Sequence, residues 1–408
     1  MLRVALVVVS GAALLLSQRG GERIRFQHHS IASASVTVVT SQGYGAPVLA
    51  DFDKDGDPDF AVLERGGKLV WFEQAGKDLW KPHELGELPV GQLGSVGLDV
   101  DGDGWTDIVV GGFWFRNPGK PREAPFQRFS YDASIKTEIH DIALADMDGD
   151  GKRDVVVLGD REGVYWYRVP AQPAANADWP RTVITRDVLD KADDIHGGIA
   201  PRGVADLDAD GDPDVALTDR WLENRGRGEQ WEKHPLPWGQ RGPWGLSSRS
   251  WVVDLDRDGD ADIVVTDCDQ AGSRAAWLEN DGKRPPAFRM HLLPDSASGK
   301  RGSFHSLIVA DFDGDRDLDI VTAEQEDPKI LPEGAPPRWF LWENLDGKAR
   351  RFAQHILLDA RLGGHDMQVG DVDGDGDLDI VSKIWRAWPG SANAGKPHVD
   401  WLENLARR

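Results

Sequence analysis

One nine-residue pattern, repeated seven times, constrains this chain more than any other feature. The pattern is D-x-D-x-D-G-x-x-D, and its copies begin at Asp51, Asp99, Asp146, Asp206, Asp254, Asp311 and Asp371. The intervals are 48, 47, 60, 48, 57 and 60 residues. Self-similarity at a period of this size means that one supersecondary unit is stacked many times. Each copy lies between two apolar runs, and the second is short and β-branched, as in Asp107-Ile108-Val109-Val110 and Asp262-Ile263-Val264-Val265. An aromatic segment follows, seen as Trp221-Leu222-Glu223-Asn224, Trp277-Leu278-Glu279-Asn280, Trp342-Glu343-Asn344 and Trp401-Leu402-Glu403-Asn404. A fourth segment ends in aromatic-x-x-His, from Trp80 to His83, Trp231 to His234, Phe288 to His291 and Phe352 to His355. Four short strands per unit at this period predict an all-β fold, a seven-bladed β-propeller with four-stranded blades.

The two ends of the chain predict how the ring closes. The seventh unit stops at Leu405 and its neighbours with no fourth strand, while Arg25-Phe26-Gln27-His28-His29-Ser30-Ile31 reads like Arg351-Phe352-Ala353-Gln354-His355-Ile356-Leu357. The N-terminal segment is therefore expected to complete the last blade, which removes an open sheet edge. Residues 22–408 then form one propeller with no second domain.

The repeated loops concentrate negative charge. Their carboxylates are Asp51, Asp53, Asp55 and Asp59; Asp99, Asp101, Asp103 and Asp107; Asp146, Asp148, Asp150 and Asp154; and Asp206, Asp208, Asp210 and Asp214. The last three copies hold Asp254, Asp256, Asp258 and Asp262; Asp311, Asp313, Asp315 and Asp319; and Asp371, Asp373, Asp375 and Asp379. A hard cation takes six to eight oxygens at about 2.3–2.6 Å, and alternating side chains in a tight loop supply several. The pattern predicts up to seven calcium ions, because clustered carboxylates repel one another without a cation. An EF-hand is excluded: position 12 is Val62, Val110 or Val157 in the first three copies, where that motif needs a glutamate. Seven divalent ions would bring the net charge of −22 to about −8. Arg316 replaces the position-six glycine in the sixth copy, which predicts a residue at positive φ and the weakest cation site.

The remaining composition narrows the role. Net charge −22 disfavours nucleic acid and anionic lipid as partners. The single cysteine, Cys268, excludes an internal disulfide framework and a four-cysteine zinc site. Arg3 followed by the apolar run Val4–Leu16 reads as an export signal over residues 1–21, too short to span a bilayer comfortably. A secreted or periplasmic location follows from that reading, with no membrane contact beyond the signal segment.

The repeats resemble the FG-GAP/VCBS family of calcium-loop propellers, which includes the integrin α head and many secreted bacterial proteins. Gly45-Ala46-Pro47 ahead of Asp51 matches the GAP of the family name. The resemblance covers the chain after residue 21. It implies calcium at the aspartate loops, and it leaves activity open, since the family includes adhesion heads, lectins and propeller domains of lyases and dehydratases.

A site is expected on the face opposite the aspartate loops, where the inner strands begin. Six residues before the loop aspartate stand His140, His305 and His365 in blades 3, 6 and 7, at one height around the axis. Near them in sequence are His196, Arg202, Trp244 and Arg249, and after the second strands come Glu324, Lys383, Trp385 and Arg386. His140, His305, His365, Glu324, Lys383 and Arg386 are the candidates for acid–base or metal chemistry; His196, Arg202, Trp244, Arg249 and Trp385 are the candidates for ligand contact. His140-Asp141 and His365-Asp366 are not expected to pair, because adjacent strand residues point to opposite faces. Three roles fit: binding of a carbohydrate-like or other polar ligand, a metal-dependent sugar lyase or dehydratase with an axial histidine site, or an adhesion head for a cell-surface protein. The second resembles, more weakly, the propeller domain of aldos-2-ulose dehydratase.

Overall fold

A computed structural model describes residues 24–32, 44–64, 67–89, 91–159, 162–187, 195–242, 245–327, 330, 336–385 and 396–406. The segment 1–21, Trp244 and Arg386 lie outside these residues. Seven four-stranded antiparallel units make up the ring. Their inner strands are Tyr44–Ala50, Ser95–Leu98, Ile139–Ala145, Val204–Ala205, Ser248–Val253, Ile308–Ala310 and His365–Gly370. The only helical element among the described residues is a single 3-10 turn, Pro173–Ala175. None of their helices is long and apolar enough to cross a membrane.

Blade 7 closes as the repeat predicts. Phe26–Ala32 pairs antiparallel with Val399–Asn404, in the register His29 opposite Trp401. His29 stacks on Trp401 with ring centroids 4.4 Å apart, and its Nε2 lies 2.7 Å from Oε2 of Glu403. The same unit recurs where the chain is continuous: His83 on Trp71 with Glu73, His234 on Trp221 with Glu223, and His291 on Trp277 with Glu279. The aromatic-x-x-His histidines are thus blade-fastening groups. Blade 6 departs because Leu341 stands opposite His355, which keeps only its bond to Glu343.

In blades 2, 5 and 7 the asparagine that ends the aromatic strand fastens the blade to the one before it. Asn117 Nδ2 donates to the Phe52 carbonyl, Asn280 Nδ2 to that of Leu207, and Asn404 Nδ2 to that of Phe312, each at 2.8–2.9 Å. Gln74 does the same toward Val372 across the closure between blades 1 and 7. Apolar packing follows the same seam, with Phe60, Phe72 and Trp80 of blade 1 against Val381, Trp401 and Ile31. Each buried tryptophan removes on the order of 200 Å² from water, so the inter-blade seams carry most of the core.

One feature departs from a plain propeller. Pro201–Arg202 leaves blade 4 to run parallel with Ser250 and Trp251 of blade 5, giving that sheet a fifth strand.

Candidate functional site

The inner strands enter the ring from the face opposite the aspartate loops, and three of them are irregular at their start, that of blade 1 between Gly45 and Val48. The pairing register shifts between Ile139 and Asp141 in blade 3, and between His365 and Gln368 in blade 7. A bulge inserts a residue and breaks the alternation of side chains. Asp366 takes φ +54 to accommodate it. His140 Nδ1 therefore lies 2.8 Å from Oδ1 of Asp141, and His365 Nδ1 lies 2.6 Å from Oδ2 of Asp366. The expectation that these neighbours do not pair is corrected here: strict alternation fails where the strand is bulged.

Arg249, on the inner strand of blade 5, ties the cluster together. It is 3% exposed. Its Nη1 donates to Asp141 at 2.6 Å, and its Nη2 reaches Nδ1 of His305 at 2.9 Å and Oδ1 of Asp366. Lys383 Nζ lies 2.7 Å from Nδ1 of His365 and 3.1 Å from Oδ2 of Asp366. The rings of His305 and His365 stack at 3.8 Å, His140 stands 5.6 Å from His305, and His196 is 4.3 Å from His140. Trp385 continues the stack, 5.0 Å from His365. Asp269 completes the group, with Oδ2 accepting from the Ser247 hydroxyl at 2.7 Å and 3.5 Å from Nε2 of His305.

Charge is distributed unevenly over these groups. Burial and the Arg249 guanidinium lower the pKa of His305, and burial holds His365 well below the ordinary imidazole value. With Arg249 donating to Nδ1, His305 is neutral and presents its Nε2–H toward Asp269. Burial opposes charge on Asp366, but Arg249, His365 and Lys383 outweigh it and hold that carboxyl well below the usual range. Asp141 behaves alike: burial raises its pKa, and Arg249 and His140 lower it further. Asp269 is also held low, the surrounding imidazoles overcoming burial. The neutral imidazoles of His305 and His365 thus sit among fixed carboxylates and cations, a set able to hold a hydroxyl, accept a proton or ligate a metal.

Of the residues singled out from sequence, His140, His305, His365, His196, Arg249, Lys383 and Trp385 come together here. Glu324 does not. Its oxygens accept from the Gly302 amide at 2.7 Å and from Arg338 at 3.1 and 3.2 Å, a buried structural ion pair. Arg202 lies in the axial channel, its guanidinium 5.2 Å from the Trp251 ring. Sequence reading missed Asp269, which follows the blade 5 second strand in no repeated register. Asp141 and Asp366 were legible, each five residues before its loop, but strand alternation argued against them.

The aspartate loops on the other face share one backbone. In all seven, the position-six amide donates to the first aspartate, as Gly56 does to Asp51 at 3.1 Å and Arg316 to Asp311 at 2.9 Å. Arg316 adopts φ +78, close to the range of the six glycines it stands among. The ninth-position carboxylate is committed to two backbone amides: Asp59 accepts from Phe52 and Gln74, and Asp379 from Val372 and Asn404. It pins the loop to the blade before any cation is considered. Donor chemistry nevertheless suits a hard cation: ligand oxygens of Asp51, Asp53 and Asp59 lie within 4.8 Å of one another, as do those of Asp99, Asp101 and Asp107. Oδ1 of Asp51, Asp256 and Asp371 is buried without a hydrogen-bond partner. Arginines offset some of the charge, with Arg116 2.6 Å from Asp101, Arg122 2.6 Å from Asp53 and Arg350 3.3 Å from Asp256.

Fold and site together define a seven-bladed propeller with one acidic-loop face and one imidazole-rich face. The model of the FG-GAP-like repeat matches residues 51–110, 99–157, 206–265 and 254–322, more than half of the sequence, and the chain belongs to that repeat family. Propellers of this family point to a binding or protein-interaction role. Among solved structures, the chain is similar to BBS1N in complex with ARL6DN, soaked with lead, at 10% identity and TM-score 0.51, covering 94% of this chain and 99% of that one. The mercury-soaked form of that complex aligns at 12% identity and TM-score 0.50, over 92% and 98% of the two chains. At these identities the likeness concerns the fold alone. No curated protein matches the sequence.

Proposed function

We propose that the protein is an exported, calcium-stabilised propeller that binds a carbohydrate-like or other polar ligand on the face opposite its aspartate loops. The observation that carries this reading is the stack His305–His365–Trp385, flanked by Lys383 and Arg249. A flat aromatic edge beside charged donors and neutral imidazoles suits a ring bearing hydroxyls. The family resemblance and the export signal read from sequence support the location. Calcium would be held by the first, third, fifth and ninth aspartates of each loop and would neutralise the loop face.

A glycan array tests the ligand class. Wild-type protein in millimolar calcium is expected to retain a small set of glycans, and His365→Ala is expected to lose them while melting within a few degrees of wild type. Retention of the same glycans by His365→Ala would overturn the site, and an array with no binder would overturn the ligand class.

Two observations favour other roles. Nδ1 of His140 is bonded to Asp141 at 2.8 Å, as at imidazoles that a carboxylate orients for metal binding. Ligand atoms of His140, Asp269 and His305 lie within 4.8 Å of one another, and so do those of His305, His365 and Asp366. These support the metal-dependent lyase or dehydratase reading, which metal analysis of the purified protein would decide. The similar propeller BBS1N, described in complex with ARL6DN, supports a protein partner on one face of the ring.

A further inference from the structure

The histidine cluster has two halves of different character. Around His305, His365 and Asp366 the space between the groups already holds cations. Arg249 Nη2 lies 2.9 Å from Nδ1 of His305, and Lys383 Nζ lies 2.7 Å from Nδ1 of His365 and 3.1 Å from Oδ2 of Asp366. A metal ion there would meet two fixed positive charges. Around Asp269 the neighbours are hydroxyl, amide and imidazole groups. Its Oδ2 accepts from the Ser247 hydroxyl at 2.7 Å, and its Oδ1 accepts from the Gln325 side-chain amide at 3.3 Å. Nε2 of His196 and Nε2 of His305 stand 3.9 and 3.5 Å from Oδ2.

This second half has the spacing of a metal site. Ligand atoms of His140, Asp269 and His305 lie within 4.8 Å of one another. Two ligands bound at about 2.1 Å stand at most roughly 4.2 Å apart across one ion, a span that His196 and Asp269 meet at 3.9 Å. Two imidazoles side by side on one ion bring their ring centroids to roughly 4.5 Å, and those of His140 and His196 stand at 4.3 Å with planes tilted by 56°. His305 has a different part. Arg249 donates to its Nδ1, so its Nε2 carries the proton and holds the Asp269 carboxylate from behind.

The backbone around these residues serves the same arrangement. Asp141 bonds Nδ1 of His140 through Oδ1, while its Oδ2 accepts from the Gly198, Ile199 and Ala200 amides at 2.8, 3.0 and 3.1 Å. One carboxylate thus orients the His140 ring and anchors the segment that carries His196. A Cβ at Gly197 would come within 3.1 Å of the His140 ring, so the glycine lets that segment close over it. Asp269 takes φ +56, a costly conformation for a residue other than glycine, and its amide donates to Ser303 Oγ at 2.8 Å. His140 is buried, whereas the side chains of His196 and Asp269 are 19% and 11% exposed, so the group meets solvent on their side.

We propose that His140, His196 and Asp269 are the protein ligands of a first-row divalent transition-metal ion, with further coordination positions left on the solvent side. His140 binds through the ring nitrogen not bonded to Asp141. Imidazole ligands favour such an ion over calcium, which sets this site apart from the aspartate loops on the other face. It needs no organic ligand, so it stands independently of the sugar-binding reading.

Zinc titration of the full chain, with millimolar calcium competing at the aspartate loops, tests this together with X-ray absorption at the zinc edge. One zinc per chain is expected, with two imidazoles among its ligands. His196→Ala and Asp269→Asn are each expected to weaken zinc at least tenfold. His234→Ala, which removes the histidine of the Glu223–Glu232–His234 group on the outer strands, is expected to change it less than threefold. Should one variant fail to fold, the ligand count in the wild type and the other variant still decide. No zinc retained at about 100 µM, a coordination shell without imidazole, or affinity unchanged in His196→Ala and Asp269→Asn would overturn the proposal. A loss in His234→Ala equal to that in His196→Ala would place the ion on the outer strands and overturn it as well. A glycan array without a binder would leave all these outcomes unchanged.

Discussion

Replacing His29 by alanine removes one side-chain fastening from the blade that closes the ring. His29 is 7% exposed, stacks on Trp401 at 4.4 Å, and bonds through Nε2 to Glu403, which is fully buried. Losing a hydrogen bond to a charged group costs about 1.5–3 kcal/mol. Losing the ring stack adds about 0.5–1.5 kcal/mol. Glu403 keeps Lys77 at 2.5 Å, which limits the penalty of stranding its charge. The expected loss is about 2–4 kcal/mol, and with an unfolding entropy of about 2 cal/mol/K per residue the melting temperature falls by roughly 2–5 °C. His234→Ala is the matched control, since His234 stacks on Trp221 at 4.5 Å and bonds to Glu223 at 2.6 Å within a continuous blade. Calorimetry should show similar decreases for both variants. Only His29→Ala should also expose the edge of Val399–Asn404, read as faster proteolysis of the N-terminal strand and concentration-dependent dimerisation. A His29→Ala protein that melts within 1 °C of wild type and resists protease equally would refute the closure energetics.

Other consequences follow from single residues. Arg316→Gly is expected to stabilise the protein by about 1 kcal/mol, because it relieves a non-glycine residue at φ +78; a lowered melting temperature would contradict this. His398 is buried, which by itself would lower its pKa, yet Asp400 and Glu326 raise it to about 10. Its folded pKa is above the unfolded value, so its contribution is complete below about pH 6.5 and is lost as pH rises toward 10, at most about 5 kcal/mol in all. Wild type should lose stability across that window in urea titrations while His398→Gln changes less, and parallel curves would dismiss the assignment. Arg249→Met should cost about 3–5 kcal/mol, since it removes the buried cation shared by the Asp141 and Asp366 carboxylates. Millimolar calcium should raise the melting temperature relative to EDTA by mass action, and identical curves would remove calcium from the account.

The blades were legible because their determinants are local and repeated. A loop with aspartates at fixed positions, a β-branched strand and an aromatic strand each carry their own signal, and seven copies reinforce it. The closure by Phe26–Ala32 was legible because a missing fourth strand at one end matched an extra one at the other. The height of His140, His305 and His365 could be read from a shared offset of six residues. What the sequence hid depends on irregular backbone. The bulges at Asp141 and Asp366 turn carboxylates toward histidines that alternation would place on the opposite face. Asp269 sits at φ +56 beyond a strand end, where no repeat position fixes its direction. Glu324 had the right position after a second strand, but Arg338, arriving from beyond a long insertion, claims it. The asparagine clasps were visible as a repeated letter, while their partners lie in the neighbouring blade and emerge only from the ring geometry.

On the proposed function, the protein meets its ligand on the imidazole-rich face, at the axis. A crystal structure of the calcium-loaded protein soaked with its tightest-binding oligosaccharide tests it most directly. Sugar density is expected against the His305–His365–Trp385 stack, with hydroxyls within hydrogen-bond distance of Lys383 or His365. Density confined to the outer strands or the aspartate-loop face, with the axial cluster untouched, would contradict it.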